Sequence, residues 1–168
     1  WWLALLIALP SAAFLVRVFM IQHDCGHGSF FEAKAANDWT GRIIGLFTLT
    51  PYDYWRRTHA MHHATSGNLD RRGLGVIEML TVEEYLALSP MKRLGYRLYR
   101  NPAVMFGLGP TFVFFLQQRV PIGLMKEGWR PWVSTLGNTA VVAAALGLMM
   151  WLLGVAPVIL VNFTTMVV

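Results

Sequence analysis

The sequence predicts an all-α integral membrane protein, and three features of the 168-residue chain support that fold class. The first is composition, since 55% of the residues are hydrophobic and only 14% are charged, against about a quarter in soluble domains. The second is that no Lys, Arg, Asp or Glu follows Arg130, which leaves a stretch too apolar for a soluble surface. The third is the length of the apolar runs, which approach the roughly 20 residues that a helix needs to cross a bilayer.

Three apolar runs are candidate membrane-crossing helices. They lie near residues 1–21, 131–153 and 158–168. The last run stops short at Val168, and the chain begins with Trp rather than Met, so we expect a fragment of a longer protein. We treat residues 1–168 as a single partial membrane domain, because no internal repeat or low-complexity tract divides them.

Two further apolar segments, near residues 39–55 and 102–120, do not resemble simple spans. The apolar centre of the first is too short, and its Trp and Tyr residues are typical of the headgroup region. The second is interrupted by two glycines and a proline. If it crossed the membrane, the basic residues that follow it would lie outside, against the tendency of such residues to stay in the cytoplasm. We therefore expect both segments to be interfacial or re-entrant.

The polar region between Arg56 and Arg100 carries eight of the fourteen basic residues. Within it, Thr81 followed by Glu84 predicts a capping box that starts a helix, and Pro90 predicts the end of that helix. A net charge of +5 in a soluble protein would suggest nucleic acid, but the chain has no RNA-binding aromatic pattern and no basic tail. The charge is better interpreted as a topological signal that keeps this region in the cytoplasm.

The histidines are the most informative residues, because all five fall in two clusters, HDCGH and HAMHH. His23 and His27 are four residues apart, and His59 precedes His62 and His63 by three and four residues. Positions three and four apart share a face of an α-helix, so each cluster directs its imidazoles to one side. A shared metal ion needs this arrangement, and the five histidines are therefore candidate metal ligands.

The type of ligand narrows the choice of metal but does not identify one metal. Structural zinc sites usually have four ligands, often thiolates, but Cys25 is the only cysteine and HDCGH is not a zinc-finger spacing. Five imidazoles exceed what one tetrahedral ion needs, which favours two metals, and imidazole suits iron, copper and nickel. No Glu-x-x-His pair occurs, so an iron centre would be rich in histidine rather than carboxylate.

Two other interpretations of the histidines stay open at this point. They could be polar interfacial side chains that water and the backbone satisfy, or they could hold a haem. A haem needs two opposed axial histidines on facing helices, and a pair four residues apart on one face does not provide them.

With their flanks, these clusters closely resemble the histidine boxes of the membrane-bound fatty acid desaturases. HDCGH matches the HxxxH box and HAMHH matches the HxxHH box. HDCGHGSFF, HHATSGNLDRRGLGVIEMLTVEEY and NPAVMFGLGPTFVFF extend the match from about Phe19 to Arg130. The similarity is to the acyl-lipid branch that introduces the ω-6 or Δ12-type double bond. The family's third box, (H/Q)xxHH, has no counterpart, because no histidine follows His63.

The resemblance implies an O2-dependent oxidoreductase that introduces a cis double bond into a lipid-linked acyl chain. It implies two non-haem iron ions, with these ligands from this chain: His23, His27, His59, His62 and His63. Because the third box is missing, we expect the isolated chain to be inactive and unable to complete the di-iron centre. It also implies a ferredoxin or cytochrome-type electron donor at the cytoplasmic face. The basic residues between Arg56 and Arg100 would attract an acidic donor, or would only set topology and contact lipid headgroups.

Residues near the boxes carry smaller expectations. Asp24 and Asp70 either hydrogen-bond the distal N–H of a ligating histidine or serve as a helix cap and a turn residue. Cys25 is expected to be a small packing residue, and Gly26 and Gly28 to allow close approach at the helix end.

Six aromatic residues near the boxes would either line an acyl tunnel or, as we prefer, belong to the interfacial belt. They are Phe30, Phe31, Trp39, Tyr52, Tyr54 and Trp55. Two alternatives to a desaturase remain: a related hydroxylase or carotenoid ketolase with the same boxes, and a non-catalytic membrane metal-binding protein.

Overall fold

The computed structural model describes residues 2–72 and 77–167, and this part of the chain is helical with no strand. The all-α prediction is therefore confirmed. The α-helices are α1 (Trp2–His27), α2 (Lys34–Phe47), α3 (Tyr52–Thr65), α4 (Val82–Ala87), α5 (Pro90–Tyr99), α6 (Gly109–Phe115), α7 (Arg130–Leu153) and α8 (Val155–Val167). Shorter helical turns cover Leu69–Arg71, Val104–Leu108 and Gln117–Arg119.

Two helices in the described ranges are long and apolar enough to cross a membrane, over Leu6–His27 and Arg130–Leu153. The first belongs to α1, which continues beyond the predicted run of residues 1–21 and includes the whole HDCGH cluster. The second is α7, at the place of the predicted run 131–153. Gly154 separates α7 from the shorter apolar helix α8, and its φ of +88° is one that glycine adopts without steric cost.

The segment near residues 39–55, which we expected to be one interfacial or re-entrant piece, is divided between α2 and α3. Residue 51 is proline, which disfavours a helical conformation for Thr50 before it. Leu49 has a φ of 53°, in the left-handed region. The backbone N–H of Thr50 donates to the carbonyl of Gly45 at 2.8 Å, and the hydroxyl of Thr48 donates to the side-chain oxygen of Gln22 at 2.6 Å. These contacts reverse the chain direction and anchor the turn to α1.

The reversal brings α3 so close to α2 that two positions have room only for glycine. A Cβ atom on Gly41 would lie 2.1 Å from the Tyr52 ring, and a Cβ atom on Gly45 would lie 2.3 Å from the carbonyl oxygen of Thr50. The resulting packing places the first turn of α3 beside the last turns of α1, where the Tyr52 hydroxyl donates to the carbonyl of Cys25 at 2.8 Å. The two histidine-bearing helices are thus held together.

The segment 102–120 is not one continuous helix. A π-helical turn (Val104–Leu108) leads into the seven-residue α6, and a 3-10 turn (Gln117–Arg119) follows. The predicted capping box at Thr81 is confirmed, since its hydroxyl accepts from the N–H of Glu84 while the Glu84 carboxylate accepts from the N–H of Thr81. Pro90 acts as the first residue of α5, and the preceding helix ends before it at Ala87.

Asn37 fixes the loop that joins the HDCGH cluster to α2. Its side chain is 2% exposed, and it donates to the carbonyl of Phe31 at 2.7 Å while it accepts from the N–H of Phe31 at 3.0 Å. Asn37→Ala leaves the N–H and the carbonyl of Phe31 without these hydrogen bonds, so we expect it to destabilise the complete protein by about 1–3 kcal/mol. A lowered midpoint of thermal unfolding in detergent checks this. Asn68→Ala, at an exposed cap, is the control and should cost less. Equal midpoints would contradict the role of Asn37.

Candidate metal centre

The candidate centre lies where the end of α1 meets the second half of α3. His23 and His27 occupy the last two turns of α1, which stops because Gly28 takes a φ of +71°. His59 and His63 lie on the face of α3 that is directed towards those turns, as the short distances between the imidazole rings show. The local spacing therefore sets each pair, and the packing of α3 on α1 joins the two pairs.

Four imidazoles converge in this structure. One ring nitrogen from each of His23, His27, His59 and His63 lies within 4.8 Å of the others. Within each helix, the Nε2 atoms of His23 and His27 are 3.3 Å apart, and those of His59 and His63 are 3.1 Å apart. Between the helices, the ring centroids of His23 and His59 are 4.8 Å apart, and those of His27 and His63 are 4.9 Å apart.

This donor set fits a transition metal such as iron, because four imidazole nitrogens point into one small volume. Burial, with further contributions from His23, His63 and the other histidines, lowers the pKa of His59 to about 4. At neutral pH its imidazole is therefore uncharged, which is the form that binds a metal. Clustered histidines without a metal would repel one another if protonated, so the arrangement is suited to neutral ligands.

His62, the fifth predicted ligand, is not one of the four converging residues. Its ring centroid lies 6.0 Å from that of His59 and 5.6 Å from that of His63. Its Nδ1 atom is buried and has no hydrogen-bond partner in the described part of the chain. The structure thus leaves His62 beside the cluster with an unused nitrogen, and its role as a ligand stays a prediction.

The two candidate supporting carboxylates differ. The Asp24 carboxylate lies 3.3 Å from Nδ1 of His23, the nitrogen on the opposite side of the ring from Nε2. It is therefore placed to fix the tautomer of His23. Asp70 is exposed in the turn Leu69–Arg71, and no hydrogen bond joins its side chain to a histidine among the described residues. Asp70 is thus a turn residue, the second of the two roles expected for it.

The small residues of HDCGHG have separate roles. Cys25 is fully buried, which confirms the expected packing role. Gly26 allows the expected close approach, since a Cβ atom there would lie 2.7 Å from Cζ3 of Trp55. Gly28 instead has open space around it and supplies the positive φ that ends α1.

Sequence reasoning missed the contact between Trp55 and His59. The indole of Trp55 is stacked on the imidazole of His59, with centroids 4.7 Å apart and an interplanar angle of 14°. The sequence indicates only the interfacial belt or an acyl tunnel for Trp55. The spacing of four residues on a helix was the available signal.

An apolar cavity of about 630 Å³ adjoins the cluster. His59 and Trp55 form part of its wall, and the segment 104–118 contributes much of the remainder. Of the six aromatic residues considered for a tunnel, Tyr54 and Trp55 line this cavity. Trp39 is 63% exposed on the outer face of α2, as an interfacial residue would be.

The whole chain matches one known protein family. The family model described as fatty acid desaturase matches residues 1–168, the whole chain. The chain belongs to the fatty acid desaturase family. The identification made from HDCGH and HAMHH is thereby confirmed, and four of the five histidines of these two motifs are the ones that converge.

Three relatives illustrate the similarity. A fatty acid desaturase of Bacillus subtilis is 49% identical over 146 residues, which are 85% of this chain and 40% of the relative. The sn-1 acyl-lipid omega-3 desaturase (ferredoxin) of Synechocystis is 47% identical over 53 residues, or 32% of this chain and 15% of the relative. The sn-1 oleoyl-lipid 12-desaturase of Arthrospira platensis is 30% identical over 107 residues, which are 64% of this chain and 30% of the relative.

The chain therefore spans two fifths or less of the length of these relatives. No solved structure matches it.

Proposed function

We propose that the complete protein is an O2-dependent acyl-lipid desaturase that introduces a cis double bond into a lipid-linked acyl chain. The observation that carries this proposal is the convergence of imidazoles from both boxes beside an apolar cavity, within a chain of the desaturase family. An acyl chain is apolar and flexible, so an apolar cavity is the type of site that would bind it.

We propose that the boxes hold a pair of non-haem irons. The four converging histidines would bind metal directly. His62 would join them through Nδ1, which is buried and has no hydrogen-bond partner among the described residues. Because no histidine follows His63, the remaining ligands would come from residues outside this chain. Asp24 would keep the proton on Nδ1 of His23, which leaves Nε2 free to bind.

In the proposed reaction, the bound irons supply the O2-dependent oxidation of an unactivated methylene, which side-chain acids and bases cannot perform. The residues of this chain would bind the irons and orient the acyl chain beside them. Trp55 and His59 border the cavity together, so an acyl chain lying there would pass close to the cluster. The apolar side chains of segment 104–118 that line the cavity would contact the acyl chain along its length.

We propose that α1 and α7 cross the membrane and that the histidine boxes face the cytoplasm. The support is the length and hydropathy of both helices, together with the excess of basic residues between Arg56 and Arg100. Helix α2 would lie in the interface, because three large apolar side chains spaced four residues apart are exposed along one face. They are Trp39, Ile43 and Phe47.

We propose a ferredoxin or cytochrome-type protein as electron donor, since relatives are named for ferredoxin in Synechocystis and for cytochrome b5 in Arabidopsis thaliana. Part of the basic region is already engaged, in the ion pairs Arg56–Asp38, Arg57–Glu127 and Arg72–Glu84. Arg93 of α5 donates to the carbonyls of Leu86 and Leu88. The basic residues of this region that form no ion pair or hydrogen bond through the side chain among the described residues would then be the ones that attract an acidic donor or contact headgroups. They are Arg71, Lys92, Arg97 and Arg100.

The proposed function is tested by expressing the complete protein, with a donor, in a host whose lipids lack the product. We expect acyl chains with a new cis double bond, which gas chromatography with mass spectrometry of the lipid esters would detect. Hydroxylated acyl chains in place of alkenes would favour the hydroxylase alternative. Unchanged lipids in cells that accumulate folded, iron-loaded protein would contradict the proposal.

A further inference from the structure

We infer that Trp55 is a positioning residue that sets the orientation of His59 in the metal centre and also limits how an acyl chain lies beside it. Its first half rests on the proposed metal centre, and its second half rests in addition on the proposed acyl-chain substrate. The inference starts from the stacked geometry, since the indole and the His59 imidazole are nearly parallel, with an interplanar angle of 14°. A parallel contact at 4.7 Å between centroids restricts rotation of the imidazole about its last side-chain bond.

The indole is itself held firmly by α1. A Cβ atom on Gly26 would lie 2.7 Å from Cζ3 and 3.3 Å from Cη2 of the indole, so the six-membered ring rests against the backbone of α1. Phe19 meets the same indole edge-on, with centroids 5.5 Å apart. Trp55 therefore fills the space between α1 and the imidazole of His59, and it transmits the position of one helix to a ligand on the other.

The orientation of His59 matters more than that of a peripheral residue. Its ring lies within 5.2 Å of His27 and 4.8 Å of His23, measured between centroids, and its Nε2 is 3.1 Å from that of His63. A rotated His59 would direct its nitrogen away from the other three. Residues that orient ligands typically contribute about 10-fold to 100-fold to metal affinity.

The same indole borders the apolar cavity next to His59. A smaller side chain would widen the cavity at the point where it meets the cluster. An acyl chain would then lie in more than one register relative to the metal, and more than one carbon would be oxidised. The second half of the inference is that Trp55 restricts the position of the double bond.

The test compares Trp55→Phe and Trp55→Leu in the complete protein. The first measurement is the visible absorption spectrum of Co²⁺ loaded in place of iron, which reports ligand geometry without turnover. We expect Trp55→Leu to change this spectrum and to weaken Co²⁺ binding about 10-fold to 100-fold. Trp55→Phe, which keeps an aromatic face, should preserve most of the spectrum. Trp39→Leu, at an exposed tryptophan, is the matched control and should change nothing.

The second measurement is the position of the double bond in the lipid product. We expect a single main isomer from the native protein and a mixture from Trp55→Phe. An unchanged Co²⁺ spectrum in Trp55→Leu would overturn the first half of the inference. If Trp55→Phe made no more double-bond isomers than Trp39→Leu, the second half would be overturned. If the native protein makes no double bond, the proposed function fails, but the Co²⁺ spectrum still decides the role of Trp55 towards His59.

A second substitution covers the case in which Trp55→Leu does not fold. Gly26→Ala should displace the indole and so alter the Co²⁺ spectrum, because the added Cβ overlaps the six-membered ring. Phenylalanine lacks the atoms that reach Gly26, so the double variant Gly26→Ala with Trp55→Phe should regain the spectrum of Trp55→Phe alone. An effect of Gly26→Ala that persists in the double variant would show that Gly26 does not act through Trp55, and would contradict the inference.

Discussion

His59→Ala is expected to abolish desaturation by the complete protein and to reduce its iron affinity by more than about 100-fold, the upper end of the effect of residues that only support a ligand. The reason is position, since the His59 imidazole contacts those of His23, His27 and His63. Its loss leaves the two histidines of α1 without the central ring of the cluster. Lipid analysis by gas chromatography and iron analysis of the purified protein check the two effects together.

The matched control for His59→Ala is Met61→Ala. Met61 is an exposed residue of the same helix and is not one of the converging residues. We expect this variant to retain native iron content and product. If His59→Ala retained as much iron and product as Met61→Ala, the cluster would not be the metal centre.

Gly45→Ala is expected to be among the most destabilising single substitutions, with a cost at the upper end of the about 1–3 kcal/mol that overpacking usually carries. Its Cβ atom would lie 2.3 Å from the carbonyl oxygen of Thr50, and a backbone atom cannot rotate away as a side chain can. Relief requires α2 and the turn into α3 to separate, which would also move the histidines of α3. The expected result is a large loss of folded protein, measured by size-exclusion chromatography and by the midpoint of thermal unfolding in detergent.

Gly137→Ala provides the control for Gly45→Ala. Gly137 lies inside α7, and a Cβ atom there meets nothing within 4 Å. Alanine favours a helix over glycine by roughly 0.5–1 kcal/mol, so Gly137→Ala should be neutral or stabilising. A Gly45→Ala protein as stable as Gly137→Ala would show that α2 and α3 do not approach each other as closely as in this structure.

Local patterns predicted the histidine pairs, because a spacing of four residues puts both side chains on one helical face. The same patterns could not predict that His62 lies outside the group of four converging imidazoles. At about 100° per residue, His62 and His63 lie on opposite sides of His59 around the axis of α3. The face that carries His59 and His63 is the one that meets α1, and only the packing of the two helices decides that.

The capping box at Thr81 was predictable for the same reason as the histidine pairs, since both of its hydrogen bonds join residues three apart. The division of segment 39–55 was not. The turn depends on a hydrogen bond from Thr48 to Gln22, which is 26 residues away in sequence. The contact of Trp55 with Gly26 joins residues that are 29 apart in sequence, so the packing of the indole against α1 could be found only from the fold.

The central claim is that imidazoles from HDCGH and HAMHH meet at one metal centre. Pulsed electron paramagnetic resonance of the complete, iron-loaded protein with ¹⁵N-labelled histidine tests it most directly, because it detects imidazoles bound to iron. We predict that His27→Ala and His63→Ala each remove coordinated imidazole from the same iron signal. An iron signal that keeps its full histidine coupling in both variants would contradict the claim.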